Sequence, residues 1–299
     1  WGFVGSITKT NSAKKGFPLI LLAGQVGSFS GATFVNKFIQ VIGFSKTIYI
    51  ISVVIMLAPV LVWFAMEAIP KELLLNDAKD DGSKNKKKAG LFEGIRLIFS
   101  HKYLMGVMVI ATVYEVVGAI IDFQFQMLAS KIYSTEALAA YNASFAQMNA
   151  FITLLLVLVG TGLFIRRLGV RLCLLGYPLM AGGAVALIFL KPTLGTFFVA
   201  MIAIKAFSYA LNNPVKELLY LPTSHDVKFK AKGFIDALGQ KAAKATGSTI
   251  NASLIGGGLS NLLTYGSLIS MGIIGVWIVV AIGLGHRYDK LIKDGEIIK

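Results

Sequence analysis

The chain has 299 residues, 56% of them hydrophobic, and a mean hydropathy of +0.72, above what a soluble domain normally carries. Its net charge of +14 invites a nucleic-acid reading, but no soluble stretch is long enough to present a basic groove. The single Cys173 excludes a disulfide framework within the chain and a cysteine-built zinc site, and His101, His225 and His286 lie far apart near helix ends. Neither a metal nor any other cofactor is expected.

Apolar runs of helix-spanning length recur along the chain and lack the apolar/polar alternation of a β-barrel. The expected fold class is therefore all-α, a polytopic membrane protein. The opening WGFVGSITKT reads as the tail of a helix entering a polar loop, without the apolar core and cleavage site of a signal peptide. A fragment that begins inside a longer protein is the expectation.

In chain order, residues 1–4 end a span and Ile7–Lys15 form a basic loop. The first full span is placed at 17–43, with Gly27 and Gly31 in a spacing that suits close helix packing. Phe44–Thr47 lead to a second span at 48–69. A hydrophilic segment from Pro70 to Lys102, holding NDAKDDGSKNKKKAG, has the composition of a flexible linker. Within it, Leu91–Phe99 suit an amphipathic helix along the membrane surface. Further spans are expected at 103–129, 141–165, 172–190, 195–212, 243–263 and 265–285, about eight in all.

Six spans after a basic linker suggest the second half of a two-halved transporter. The expected domains are 1–69, the end of an N-terminal helical half; 70–102, a cytoplasmic linker; and 103–299, a C-terminal half with a cytoplasmic tail. Basic residues support this topology, because alternate loops hold most of the 29, Lys216 through Lys244 among them. Lys37, Lys46, Lys131 and Lys191 fall near the other face, and Lys205 lies within a span. The excess positive charge is then mostly topology, with anionic membrane lipids as its routine partner and no nucleic acid required.

Ionisable residues inside spans point to a pathway, since charge near the bilayer centre costs at least ~2.5–3.5 kcal/mol on insertion scales. Glu115 and Asp122 stand seven residues apart, so both carboxylates can share a helix face. Lys205 sits mid-span, and Lys244 begins a span where it could equally be a topological anchor. Asn142, Gln147, Asn149, Asn212 and Asn213 fit a polar cavity, although hydrogen bonds between helices would explain any one of them. Pro214 lacks an N–H and is expected to end or kink the preceding helix, leaving Asn212 and Asn213 at a break. Catalysis finds no support: the chain carries no GxxxxGK[ST], HExxH or GxSxG pattern.

The stretch NNPVKELLYLPTSHDVKFKAKGFIDALGQKAAKATGS resembles the signature of the ATP/ADP translocases of plastids and obligate intracellular bacteria. That signature has the form P-x-K-E-M-x-Y-I-P-x-(5–7)-K-x-K-[AG]-K-x-x-I-D. Here Pro214, Lys216, Glu217, Tyr220, Pro222, Lys228, Lys230, Lys232, Ile235 and Asp236 match it. The opening WGFVGSITKTNSAKKGFPLILLAGQVG resembles a second, looser family motif.

The resemblance implies a major-facilitator-like fold of twelve helices that exchanges ATP, ADP or related nucleotides across a bacterial inner membrane or plastid envelope. It also implies functional positions at Glu115, Lys244 and Lys205. The family's E-V-T-W-K is here Glu115-Val-Val-Gly-Ala119, followed by Asp122, so a lysine is missing and an acid is gained nearby.

In the resulting expectation Lys205 and Lys244 neutralise phosphate oxygens. Glu115 pairs with a lysine, Asp122 offers proton coupling, and Asn142, Gln147, Asn212, Tyr141, Phe145 and Tyr209 are candidates for base contacts. The rival readings are proton-coupled uptake of another anionic metabolite, and a membrane scaffold that transports nothing.

Overall fold

The computed structural model describes residues 10–68, 91–159 and 161–298. The expected span end at 1–4 and most of the 70–102 linker lie outside these residues. The described residues form two compact units: 10–68 with 133–151, and 91–132 with 152–159 and 161–298.

In the first unit, α1 (Thr10–Ile42) meets α2 (Phe44–Ala68) at Gly43. The apolar window of α2 is long enough to cross a membrane and is 6% buried among the described residues. Packing at Gly27 and Gly31 does not materialise among the described residues: a Cβ at either would meet nothing within 4 Å. The helix α5 (Thr135–Val159) supplies the rest of this unit through its residues up to 151.

The second unit is built around α4 (Lys102–Ile132). Ahead of it, α3 (Leu91–Ser100) is amphipathic as expected, and it docks on a later helix, α9 (His225–Phe234). There Gly94 lies so close that a Cβ would stand 2.7 Å from the Lys230 carbonyl oxygen. An ion pair of 2.7 Å between Lys230 and Glu93 closes the same contact. Beyond α4 come α6 (Thr161–Leu190), broken at Gly169 (φ 77°, ψ 166°), and α7 (Leu194–Phe207), capped by the Thr193 side chain.

After α7 the chain does not break. It widens into a π-helical turn, Ser208–Asn212, and continues as α8 (Asn213–Leu218). Pro214 stands in the first turn of α8, where its missing N–H leaves little unsatisfied, and the Asn213 N–H reaches back five residues to the Ser208 carbonyl. The expected break at Asn212 and Asn213 is thus a bulge in a continuous helix.

A second π turn, Ile235–Gly239, joins α9 to α10 (Gln240–Ile255). The last helix, α11 (Gly258–Asp294), starts at Gly258 with φ 86°, a left-handed conformation that favours glycine. The corner between the last two helices therefore lies at residues 256–258 and not between 263 and 265. Beyond α11 the tail returns, and the Ile298 N–H donates to the Pro222 carbonyl at 3.0 Å while the Ser224 N–H donates to Ile298 at 2.8 Å.

The core lies where α4, α6, α7 and α11 meet, with Trp277, Tyr177, Phe125 and Phe197 fully buried. Tyr177 stands edge-on to Trp277 at 5.4 Å and donates to the Ile204 carbonyl at 3.1 Å, while Gln124 of α4 donates to the Leu262 carbonyl at 2.8 Å. The all-α, multi-span class holds: the described elements are helices, and six are long and apolar enough to cross a membrane. These six are counted among the described residues alone, against about eight expected along the whole chain. Of the other two expected spans, one falls on α1 and the other on α10, whose 16 residues reach only about 24 Å.

Candidate functional site

Helix α4 brings Glu115 and Asp122 to one face, about 10 Å apart along its axis at 1.5 Å per residue. Each carboxylate meets a lysine from a different neighbouring helix. Lys205 of α7 donates to Asp122 at 2.8 Å, and Lys244 of α10 approaches Glu115 at 3.4 Å. Glu115 is the more enclosed partner, with 13% of its side chain exposed against 65% for Lys244.

The register of α10 on α4 explains the second pair. Residues 244, 247 and 251 recur at helical spacing on one face of α10. The Asn251 side chain donates to the Ala119 carbonyl at 3.1 Å, and Gly247 lies against Val116 and Ala119. A Cβ at Gly247 would stand 2.8 Å from the Val116 carbonyl oxygen, so the glycine permits the approach that puts Lys244 beside Glu115.

One cation expected in a cytoplasmic loop lies on a helix. The basic-residue pattern counts Lys216 among cytoplasmic anchors, yet it lies on α8, half-buried, with its Nζ 5.5 Å from the centre of the Tyr114 ring. It lies in the field of Glu115, Asp236, Glu217 and Lys232. The signal was present in the spacing: Lys216 follows Lys205 by eleven residues, about three helical turns.

The rest of the basic stretch is held by ion pairs and caps. Lys232 grips both oxygens of Glu217 at 2.6 and 2.7 Å, and Ser224 caps α9 by accepting from the Val227 N–H. Partial burial pushes the Asp236 carboxyl above its ordinary range. Lys232 pulls it back, Glu217 adds to the rise, and Lys216 opposes it.

Asn212 is only 3% exposed, inside the first π turn, and its Nδ2 has no hydrogen-bond partner among the described residues. Tyr209 beside it is exposed. The remaining candidates, Asn142, Gln147, Tyr141 and Phe145, belong to the first unit. Gln147 is engaged at both ends, donating to the Thr33 hydroxyl at 2.8 Å and accepting from Asn36 at 3.3 Å, so it ties α5 to α1. Tyr141 stacks on Tyr133 at 4.9 Å, and Phe145 is buried. Among the described residues no cluster of histidine, cysteine and carboxylate side chains could hold a metal.

A sequence profile of the family described as TLC ATP/ADP transporter matches residues 1–191 and 178–288. ADP,ATP carrier protein 2, chloroplastic, of Arabidopsis thaliana is 24% identical over 331 residues, covering 99% of this chain and 53% of its own length. ADP,ATP carrier protein 1 of Rickettsia bellii is 22% identical, with 99% and 66% covered, and ADP,ATP carrier protein 4 of Rickettsia felis is 26% identical, with 85% and 57% covered. The chain spans about half the length of the Arabidopsis carrier and 57% and 66% of these two Rickettsia ones. No solved structure matches it.

Proposed function

Because the chain belongs to the TLC ATP/ADP transporter family, we propose that it forms part of a nucleotide transporter that exchanges ATP for ADP across a membrane by alternating access. The observation that carries this reading is the pairing of Lys205 and Lys244 with two carboxylates on one face of α4. A nucleotide's phosphate oxygens can replace Asp122 and Glu115 as partners of the two ammonium groups, which bind phosphate as compact charges. Each lysine then has a partner both with and without cargo.

The proposed architecture is a major-facilitator-like fold of twelve helices, with residues 103–299 as its C-terminal half. The distribution of basic residues supports a cytoplasmic or stromal side for 70–102 and the C-terminus. The membrane would be a bacterial inner membrane or a plastid envelope. Asn212, buried in the π turn with a free Nδ2, is the strongest candidate for a base or ribose contact in this half.

A second reading is favoured by the Asp122–Lys205 pair: protonating Asp122 would release Lys205, which would couple uptake of an anionic cargo to protons. Purified full-length protein, heated in detergent with ATP, ADP, AMP and inorganic phosphate, tests binding. Proteoliposomes with and without internal ADP, and with and without a pH gradient, separate the two transport modes. Stabilisation by no nucleotide and uptake under no condition would leave only the scaffold reading.

A further inference from the structure

We propose that Lys216 is a third phosphate contact of this site and that it reads the terminal phosphate of the nucleotide, held in place by the Tyr114 ring. The inference rests on the nucleotide-transport reading above and deepens it. Its starting point is a cation outside the described ion pairs. Lys205, Lys230, Lys232, Lys244 and Arg287 each have a carboxylate within 4.0 Å, whereas Lys216 figures in none of the described ion pairs. What steadies it is the face of Tyr114, 5.5 Å from Nζ, and a ring face holds an ammonium group without occupying all its N–H donors. Those donors stay available to a phosphate.

Placement gives the specificity. Lys244 approaches Glu115, and Glu115 also acts electrostatically on Lys216, which stands over the Tyr114 ring one residue earlier on α4, so two cations share the surroundings of one carboxylate. Lys205 meets the same helix at Asp122, about 10 Å further along at 1.5 Å per residue. A polyphosphate chain is most highly charged at its free end, so that end belongs beside the two cations and the nucleoside side of the chain beside Lys205. Glu115 and Asp236 both act on Lys216 electrostatically, and they resist its use by a weakly charged ligand. A nucleoside monophosphate at Lys205 would not reach the paired cations.

The test is equilibrium binding of ATP, ADP and AMP to the full-length protein in detergent. Wild type is compared with Lys216→Gln, Lys216→Arg, Tyr114→Leu and the exposed control Lys241→Gln. Lys216→Gln is expected to weaken ATP by about tenfold or more, ADP by less and AMP hardly at all, compressing the ATP-to-AMP preference. Tyr114→Leu should move the preference in the same direction, while Lys216→Arg and Lys241→Gln keep it within about threefold of wild type. If Lys216→Gln does not fold, Tyr114→Leu and Lys216→Arg still report the ATP-to-AMP ratio. An unchanged ratio in Lys216→Gln or Tyr114→Leu, with wild type binding ATP, overturns the role of Lys216 and leaves the transport reading intact. A wild type that binds none of the three overturns both.

Discussion

Gly247 of α10 lies against the Val116 carbonyl of α4, one helical turn beyond the point where Lys244 meets Glu115. The contact admits no side chain, since a Cβ would come to 2.8 Å from both Val116 O and Ala119 Cβ. Gly247→Val should therefore destabilise the protein by about 1–3 kcal/mol, the usual range for overpacking. It should also push Lys244 away from Glu115 and reduce nucleotide exchange. Thermal unfolding in detergent checks the first effect and proteoliposome uptake the second. Unchanged melting would mean that α10 does not need this approach.

The Glu115–Lys244 pair should matter for transport and little for stability. Lys244 is 65% exposed, and ion pairs of that kind contribute about 0–1 kcal/mol. Glu115→Gln and Lys244→Gln are each expected to cut exchange by about tenfold or more while melting stays close to wild type. The double variant should melt like wild type and remain inactive, because removing both charges relieves the mismatch without restoring the phosphate contact. Recovery of exchange in the double variant would make the pair a structural clasp.

Asp236 makes the protein's stability depend on pH. Its carboxyl is raised above the ordinary 3.8, first by burial, with Lys232 and Lys216 opposing and Glu217 reinforcing the rise. The folded state thus holds this proton more firmly than the unfolded chain does. The resulting stability is fully present below about pH 3.8 and declines as pH climbs through the raised folded value. Asp236→Asn keeps an oxygen for Gln240, which donates to Asp236 Oδ1 at 3.0 Å. The substitution should raise the melting temperature slightly at pH 7, and the gain should fade in acid. A loss of stability at pH 7 would show that the carboxylate's ion partners outweigh its burial.

The multi-span class was legible because apolar runs of spanning length leave few alternatives, and Glu115, Asp122 and Lys205 stood out because charge inside such runs is costly. Boundaries set by backbone geometry were not legible. Pro214 reads as a helix end, but a π turn absorbs it, and a turn of that kind leaves no mark on hydrophobic periodicity. The same misreading moved Lys216 into a loop, since a cation after a helix end looks like an anchor.

Gly256, Gly257 and Gly258 marked the corner between α10 and α11, yet the apolar run continues through them and hides it. For Gln147, composition offers polarity but not partners, so its bonds to Thr33 and Asn36 were not legible.

Uptake of labelled ATP into proteoliposomes loaded with ADP, set beside empty vesicles, tests the central claim most directly when wild type is compared with Lys205→Ala. Wild type should take up ATP at least about tenfold faster into loaded vesicles, and Lys205→Ala, folded by size-exclusion chromatography, should fall to the level of empty ones. Equal uptake into loaded and empty vesicles by wild type would contradict exchange. Wild-type uptake by Lys205→Ala would remove this lysine from the site.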